Sequence, residues 1–291
     1  MKVTKSENAL QFESGNVQGS ISLVNGLLTS YKKDGKALLT SAPEPNFWRA
    51  PTDNDFGENL QFKTNVWRTA GDNLKLIKAD VKNQTAEGVE VVCSFKIAYL
   101  DVDYTIAYFV RNDGSVELTS SMDMGNKELP ELPRFGMKME MDESFDQVSW
   151  YGRGPLENYW DRKRSSFVGR YDAKVKDLGF DYIRPQENGN RADVRQVTFV
   201  NPEGLGVQIQ GLAQPVNFTA RHNYDADFDP GMTKKQQHIA DIDRRDILAV
   251  NIDLQQRGLG GDTSWGTHPM DQYRLTDKKY SYSYLISPFV K

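Results

Sequence analysis

Between residues 9 and 40 the chain reads ALQFES, GN, VQGSISLV, NG, LLTSYK, KDG and KALLT in succession. Apolar and polar residues alternate within each run, so one face of an extended chain turns toward a core. Asn-Gly and Asp-Gly supply the positive φ that tight hairpins require. A chain punctuated in this way folds as an antiparallel meander, with a strand about every eight residues. The pattern returns in VEVVCSFKIAYL, in VDYTIAYFVR followed by the turn NDG at 112–114, and in SVELTSSMDM. It appears again in RQVTFV, NPEG and LGVQIQG, and in KYSYSYLISP, where Tyr280, Tyr282 and Tyr284 share one face. The best helical periodicity lies at 59–71, NLQFKTNVWRTAG, with Leu60, Lys63, Trp67 and Ala70 at helical spacing. Strands this numerous with so little helix predict an all-β sandwich or barrel.

At 291 residues, 38% apolar and 26% charged, the chain has the material for a sizeable core. With no low-complexity linker and no fixed-period repeat, residues 1–291 read as a single architectural unit. A net charge of −4 offers no basic footprint for phosphate backbones, which argues against nucleic acid. No stretch approaches the roughly 18 consecutive apolar residues of a membrane span. The opening MKVTKSENALQFES has no apolar signal-peptide segment, and both cytoplasmic and periplasmic locations stay open. Cys93, the sole cysteine, excludes an internal disulfide and reads as a buried small hydrophobe.

Three stretches break the hairpin pattern: FWRAPTDNDFG (47–57), WYGRGPLENYWDRKRSSFVGRY (150–171) and YIRPQENGNRADVRQ (182–196). Ordering an aperiodic segment costs roughly 1–2 kcal/mol per residue, and long irregular loops in compact domains usually serve function or wrap another surface. Their chemistry is nevertheless sparse. His222, His238 and His268 match no metal-ligand spacing and read as satisfied surface or core side chains. Ser264 lacks the pattern of a nucleophile elbow. No glycine loop for phosphates is present. Glu157, Asp161, Glu187, Asp193, Asp253 and Asp262 are the carboxylates in or near these loops, and a close pair of them would suit a retaining glycosidase. Arg153, Arg162, Arg164, Arg184, Arg191 and Arg195 crowd the first four, which predicts ion-paired scaffolding with lowered carboxyl pKa. A general acid needs a raised one.

One further loop, RGLGGDTSWG (257–266), follows the alternating run ILAVNIDLQQ. Its glycines allow positive φ and close backbone approach to a ligand. Trp265 hangs from this pliant, polar segment. Its indole offers an apolar face to the C–H face of a pyranose and an N–H donor. Trp265 is therefore the candidate sugar-stacking residue, with Asp262 and Gly261 beside it as candidate substrate contacts.

FWRAPTDND (47–55), YGRGPLENYWDR (151–162), RPQENGNRADVR (184–195), GLGGDTSWG (258–266) and the closing YSYSYLISP together resemble the C-terminal domain of family 2 β-galactosidases, over nearly the whole chain. The resemblance implies an all-β, large antiparallel supersandwich of the galactose mutarotase-like type. It implies a retaining enzyme acting on β-galactosides, whose two catalytic glutamates belong to a TIM barrel not contained in this sequence, so no catalytic residue is carried over. It implies that Trp265 reaches into the active-site pocket. Arg49 with Asp53, Arg153 with Glu157, and Glu187 with Arg191 are then expected as loop-bracing pairs or contacts to the barrel. No metal ligand or cofactor is expected on this chain; Mg2+ or Na+ required by a full enzyme would be held mostly elsewhere. The expected partners are galactose or a β-galactoside and the remainder of the β-galactosidase. The chain alone should be inactive. Two other readings stay open: a natural small subunit of a two-chain enzyme, and a mutarotase-like epimerase or sugar-binding module.

Overall fold

The computed structural model describes residues 1–263 and 266–291. The hairpin pattern is realised at once in β1 (Lys2–Lys5), β2 (Ala9–Ser14), β3 (Val17–Ser22), β4 (Leu28–Lys33) and β5 (Lys36–Ala37), which pair in that order as one antiparallel sheet. Then follow β6 (Ser41–Asn46), the single turns α1 (Asp53–Gly57) and α2 (Leu60–Lys63), and a run of hairpins: β7 (Leu74–Val81), β8 (Gly88–Ile97), β9 (Val102–Arg111) and β10 (Val116–Asp123). The remaining strands are β11 (Arg134–Met141), β12 (Gln147–Gly154), β13 (Phe167–Lys174), β14 (Arg191–Val194), β15 (Gln196–Val200), β16 (Leu205–Gly211), β17 (Val216–Arg221), β18 (Leu248–Gln256) and β19 (Lys279–Val290).

A nine-stranded sheet has the order β13-β12-β15-β16-β19-β10-β9-β8-β7, and a five-stranded sheet the order β14-β17-β18-β11-β6. Aromatic side chains join the two. Phe135 on β11 stacks with Tyr280 and meets Tyr282 edge-on, while Trp150 and Phe199 meet Phe218. Tyr280, Tyr282 and Tyr284 are all buried, as their spacing predicts. Buried tyrosine hydroxyls need partners: Tyr282 donates to Ile252 O (2.7 Å), tying β19 to β18. Tyr31 on β4 donates to Gly114 O (3.0 Å) and Tyr108 on β9 to Gly26 O (3.1 Å), which fasten the first sheet to the nine-stranded one. Each such bond contributes about 1 kcal/mol net. Cys93 is fully buried, and burial pushes its thiol up to about 11, consistent with an inert core residue.

The continuous helix over 59–71 does not form. Asn59 takes φ +62° and Thr64 leaves helical geometry at φ −111°, its hydroxyl donating to Leu60 O (2.8 Å), so a four-residue turn and a 3-10 turn at Asn65–Trp67 replace it. Leu60, Trp67 and Ala70 are buried as expected, but Lys63 is exposed. The aperiodic stretches are also more regular than their composition predicts: β12 and β13 occupy the ends of 150–171, and β14 lies inside 182–196.

The five-stranded sheet has one apolar and one polar face. Phe135, Met137 and Met139 on β11, Phe218 and Ala220 on β17, and Val250 and Ile252 on β18 enter the core. Alternate positions, Arg134, Thr219, Arg221, Asn251 and Asp253, form the other face, and the aperiodic loops gather over its end.

Candidate functional site

Thr52 and Asp55 begin the site. Thr52 Oγ1 accepts from Asp55 N (3.1 Å) and Thr52 N donates to Asp55 Oδ2 (2.9 Å), a capping box that starts α1. This fixes Asp55 to receive a two-pronged bond from Arg49, Nε to Oδ2 at 3.1 Å and Nη2 to Oδ1 at 2.8 Å. Both side chains are buried, and removing Arg49 would leave Asp55 with only Arg257 Nη1, 3.5 Å away, as a cationic neighbour. The remaining Arg49 donors reach Arg257 O and Gly258 O, so the 47–55 segment holds the root of the 257–266 loop.

The 151–162 motif, together with Asn54 of 47–55, holds the next residues. Asp161 Oδ2 accepts from Gly260 N (2.9 Å), Arg162 donates to Gly260 O, and Asn54 Nδ2 donates to Leu259 O (3.2 Å). Arg257 N donates to Pro133 O and Gly258 N to Tyr273 O. A β-carbon at Gly258 would stand 2.9 Å from the Asp161 carboxyl, so only glycine fits there. Asn158 and Asn190 lock 151–162 to 184–195: Asn190 Nδ2 donates to Asn158 O (2.7 Å), and Asn158 N to Asn190 O (2.8 Å). Arg191 braces Leu178 O, Gly189 O and Pro155 O. The backbone of 257–260 is thus pinned almost atom by atom. At Gly261, with φ +81° and packed on Asn54, the chain turns outward, and Asp262 is exposed. Trp265 lies outside the described residues.

Beneath the loop, the Arg257 guanidinium is fully buried, with Nη1 2.6 Å from Glu58 and Nε 2.9 Å from Glu131. Burial opposes ionisation of Glu131, but Arg274 and Arg257 hold its carboxyl below the ordinary range. His268 Nδ1 lies 2.5 Å from Glu58 Oε2. His222 Nδ1 meets Ile247 O (2.7 Å), and His238 is exposed.

A second buried network underlies the 184–195 motif. Arg134 reaches Asp225 (2.6 Å), Glu187 (3.2 Å) and Asp253 (3.4 Å), and Arg221 reaches Glu187 (3.4 Å) and Asp225 (3.6 Å). Three carboxylates therefore share two guanidiniums. Burial works against Asp225, but Arg134 and Arg221 keep its carboxyl low. Among the described residues neither oxygen of Asp253 meets a donor in hydrogen-bond geometry, and burial, resisted by Arg134 and more weakly by Gln256 but reinforced by Glu187 and Asp225, pushes its carboxyl up to about 7.

Several expected pairings are corrected. Arg49 pairs with Asp55 in place of Asp53, whose carboxylate takes Lys234. Arg153 pairs with Asp193 in place of Glu157. Glu187 pairs with Arg134 and Arg221, and Arg191 binds carbonyls. Glu157 accepts from Tyr182 and from Gly189 N, so no arginine holds it. Asp193 fits the scaffolding expectation: burial opposes, but Arg153 and Lys163 hold its carboxyl low. Asp253, which is not one of the four carboxylates that arginines crowd in sequence, lies beside Arg134 with a raised pKa. Sequence reading missed Asp55, Glu58, Arg134, Asp225 and Arg257; a T-x-x-D capping signal at 52–55 was the available cue for Asp55. Among the described residues no group of three or more His, Cys, Asp or Glu side chains could hold a metal ion.

Solved structures share this architecture. The galactose 1-epimerase from Lactobacillus acidophilus matches 100% of this chain and 98% of its own, with a TM-score of 0.54 at 9% identity. A putative aldose 1-epimerase from Escherichia coli matches 97% and 98%, with a TM-score of 0.50 at 12% identity. Identities this low establish the fold alone, an all-β supersandwich of the galactose mutarotase-like class. The family follows from sequence: the model for the β-galactosidase small chain matches residues 13–286, and the chain belongs to that family. The β-galactosidase of Priestia megaterium is 32% identical over 292 residues, covering 99% of this chain and 27% of that protein. That of Halalkalibacterium halodurans is 30% identical over 253 residues, covering 86% and 24%. The chain spans about a quarter of the length of these curated relatives.

Proposed function

We propose that residues 1–291 form one structural unit of a retaining β-galactosidase that hydrolyses terminal β-D-galactosides. In such chemistry one carboxylic acid protonates the glycosidic oxygen while a second attacks the anomeric carbon, and water then releases the galactosyl intermediate. Both catalytic carboxylates come from the remainder of the enzyme, as do the ligands of any Mg2+ or Na+. This chain supplies a platform for the sugar. The observation that carries the reading is the pinned backbone of 257–260, held by Arg49, Asn54, Asp161 and Arg162 from two other motifs. A segment emerging from so fixed a root, with Gly261 as its pivot and Asp262 exposed, suits presentation of the Trp265 indole to a pyranose face at small entropic cost.

A second form of this reading, a separate small subunit, is favoured by the description of the family as a small chain. An epimerase rests on the fold alone. Hydrolysis of a chromogenic β-galactoside tests the proposal: the chain alone should give none, and the chain combined with the remainder of the β-galactosidase from the same source should give robust turnover. Turnover by the chain alone, abolished by changing one of its own carboxylates, would overturn it.

A further inference from the structure

At the end of the molecule that carries the motif loops, six charged and amide side chains are buried: Arg49, Arg134, Glu187, Asn190, Arg191 and Arg257 are each at most 3% exposed. Four large apolar side chains of the same loops are exposed: Leu156 is 73% exposed, Phe167 75%, Phe180 56% and Ile183 84%. The four belong to segments that are tied together. Gly154, two residues before Leu156, pairs with Phe167 across β12 and β13. Tyr182 donates to Glu157, which joins the Leu156 turn to the segment of Ile183, and the Phe180 and Tyr182 rings lie 4.7 Å apart. Arg191 holds Pro155 O and Leu178 O from beneath. β13 is moreover a free edge of the nine-stranded sheet, with unpaired backbone groups and two exposed apolar residues at its start, Phe167 and Val168.

Ordering loops around buried ions while leaving leucine, isoleucine and phenylalanine in water is unfavourable unless another surface covers them. We infer that Leu156, Phe167, Phe180 and Ile183 form the seat for the remainder of the β-galactosidase polypeptide. This rests on the functional reading above and names the surface that serves it. Two observations commit the seat to that occupant. The relatives carry about three quarters of their length outside the region this chain matches, so a large covering body exists in them. The seat is also continuous with the loop root, because Asp161 and Arg162, five and six residues beyond Leu156, hold Gly260.

Sedimentation velocity and β-galactoside hydrolysis, with the chain mixed with the remainder of the enzyme from the same source, test the assignment. Two double variants are compared: Leu156→Asp/Ile183→Asp on the seat, and Val24→Asp/Ile77→Asp at exposed apolar positions of the β3–β4 turn and of β7, the opposite sheet edge. All four substituted side chains are exposed, so unchanged thermal midpoints are expected for both variants. The seat variant should lose association by about a hundredfold or more and lose activity with it, whereas the control should stay within about threefold of the parent. Association that survives the seat variant unchanged would overturn the surface assignment alone. Failure of the unaltered chain to associate would overturn the functional reading and the surface together.

Discussion

Gly136 on β11 stands opposite Asp253 on β18, and a β-carbon at position 136 would overlap the Asp253 carboxylate. The ladder shifts register between Phe135 and Gly136, so the missing side chain and the irregularity together create the recess in which this buried acid sits. The recess joins Arg134 to the network that ends in Glu187, and Glu187 N donates to Ala50 O (3.2 Å) beside Arg49.

Gly136→Ala should therefore destabilise the chain by about 1–3 kcal/mol, the range for forcing extra atoms into a packed interior. Urea unfolding followed by tryptophan fluorescence measures it. A change below a few tenths of a kcal/mol would mean that the recess is not needed.

Asp253 should make stability depend on pH in the unusual direction. Its folded pKa of about 7 exceeds the ordinary carboxyl value of 3.8, so the folded chain holds a proton that the unfolded chain has released. Its stabilising contribution is complete below the unfolded value and is lost as pH rises toward 7, with a slope of at most about 1.4 kcal/mol per pH unit. Asp253→Asn removes the titration. The stability of the parent relative to this variant should fall from pH 5 to pH 7 and level off above it, and a constant offset would refute the assignment.

Arg49→Met leaves Asp55 charged and buried, and should cost about 3–5 kcal/mol. Arg49→Met combined with Asp55→Leu should cost less than the sum of the two single changes, because the double variant buries no lone charge. Denaturant unfolding of the four proteins closes the cycle, and additivity would show that the pair does not act as a unit.

Gly261→Ala should impair function more than folding. Its φ of +81° and its packing on Asn54 leave no room for a methyl group, but the strain falls at the exit of the loop, where the chain turns outward to the exposed Asp262. In the combined enzyme a fall in kcat/KM of about tenfold is expected with less than about 1 kcal/mol lost in stability. Asp262→Ala, at an exposed position, should leave stability within about 0.5 kcal/mol.

The sequence shows the hairpins because their information is local: Asn25-Gly26 and Asp34-Gly35 turn the chain where they stand, and φ is positive at Gly26, Asp34 and Gly35. It does not show the ion pairs, because those are set by the way strands far apart in sequence come together. Arg153 meets Asp193 from 40 residues away and Arg134 meets Glu187 from 53, and in each case a carboxylate or arginine nearer in sequence is passed over. Arg134, Asp225 and Arg257 look like ordinary surface charges until the polar face of the five-stranded sheet is folded under the loops. The glycine loop was legible in part: its composition marks a close backbone approach, but the group it approaches, Asp161, emerges only when 151–162 packs against 258–260.

In the proposed function, Trp265 offers its indole to a galactoside held by the remainder of the enzyme. Steady-state hydrolysis of a chromogenic β-galactoside by the combined enzyme, with the parent, Trp265→Phe and Trp265→Ala chains, tests it most directly. Loss of an aromatic stacking face predicts a fall in kcat/KM of tenfold or more for alanine and a smaller one for phenylalanine, with association unaltered. Equal kcat/KM for all three chains would contradict the account.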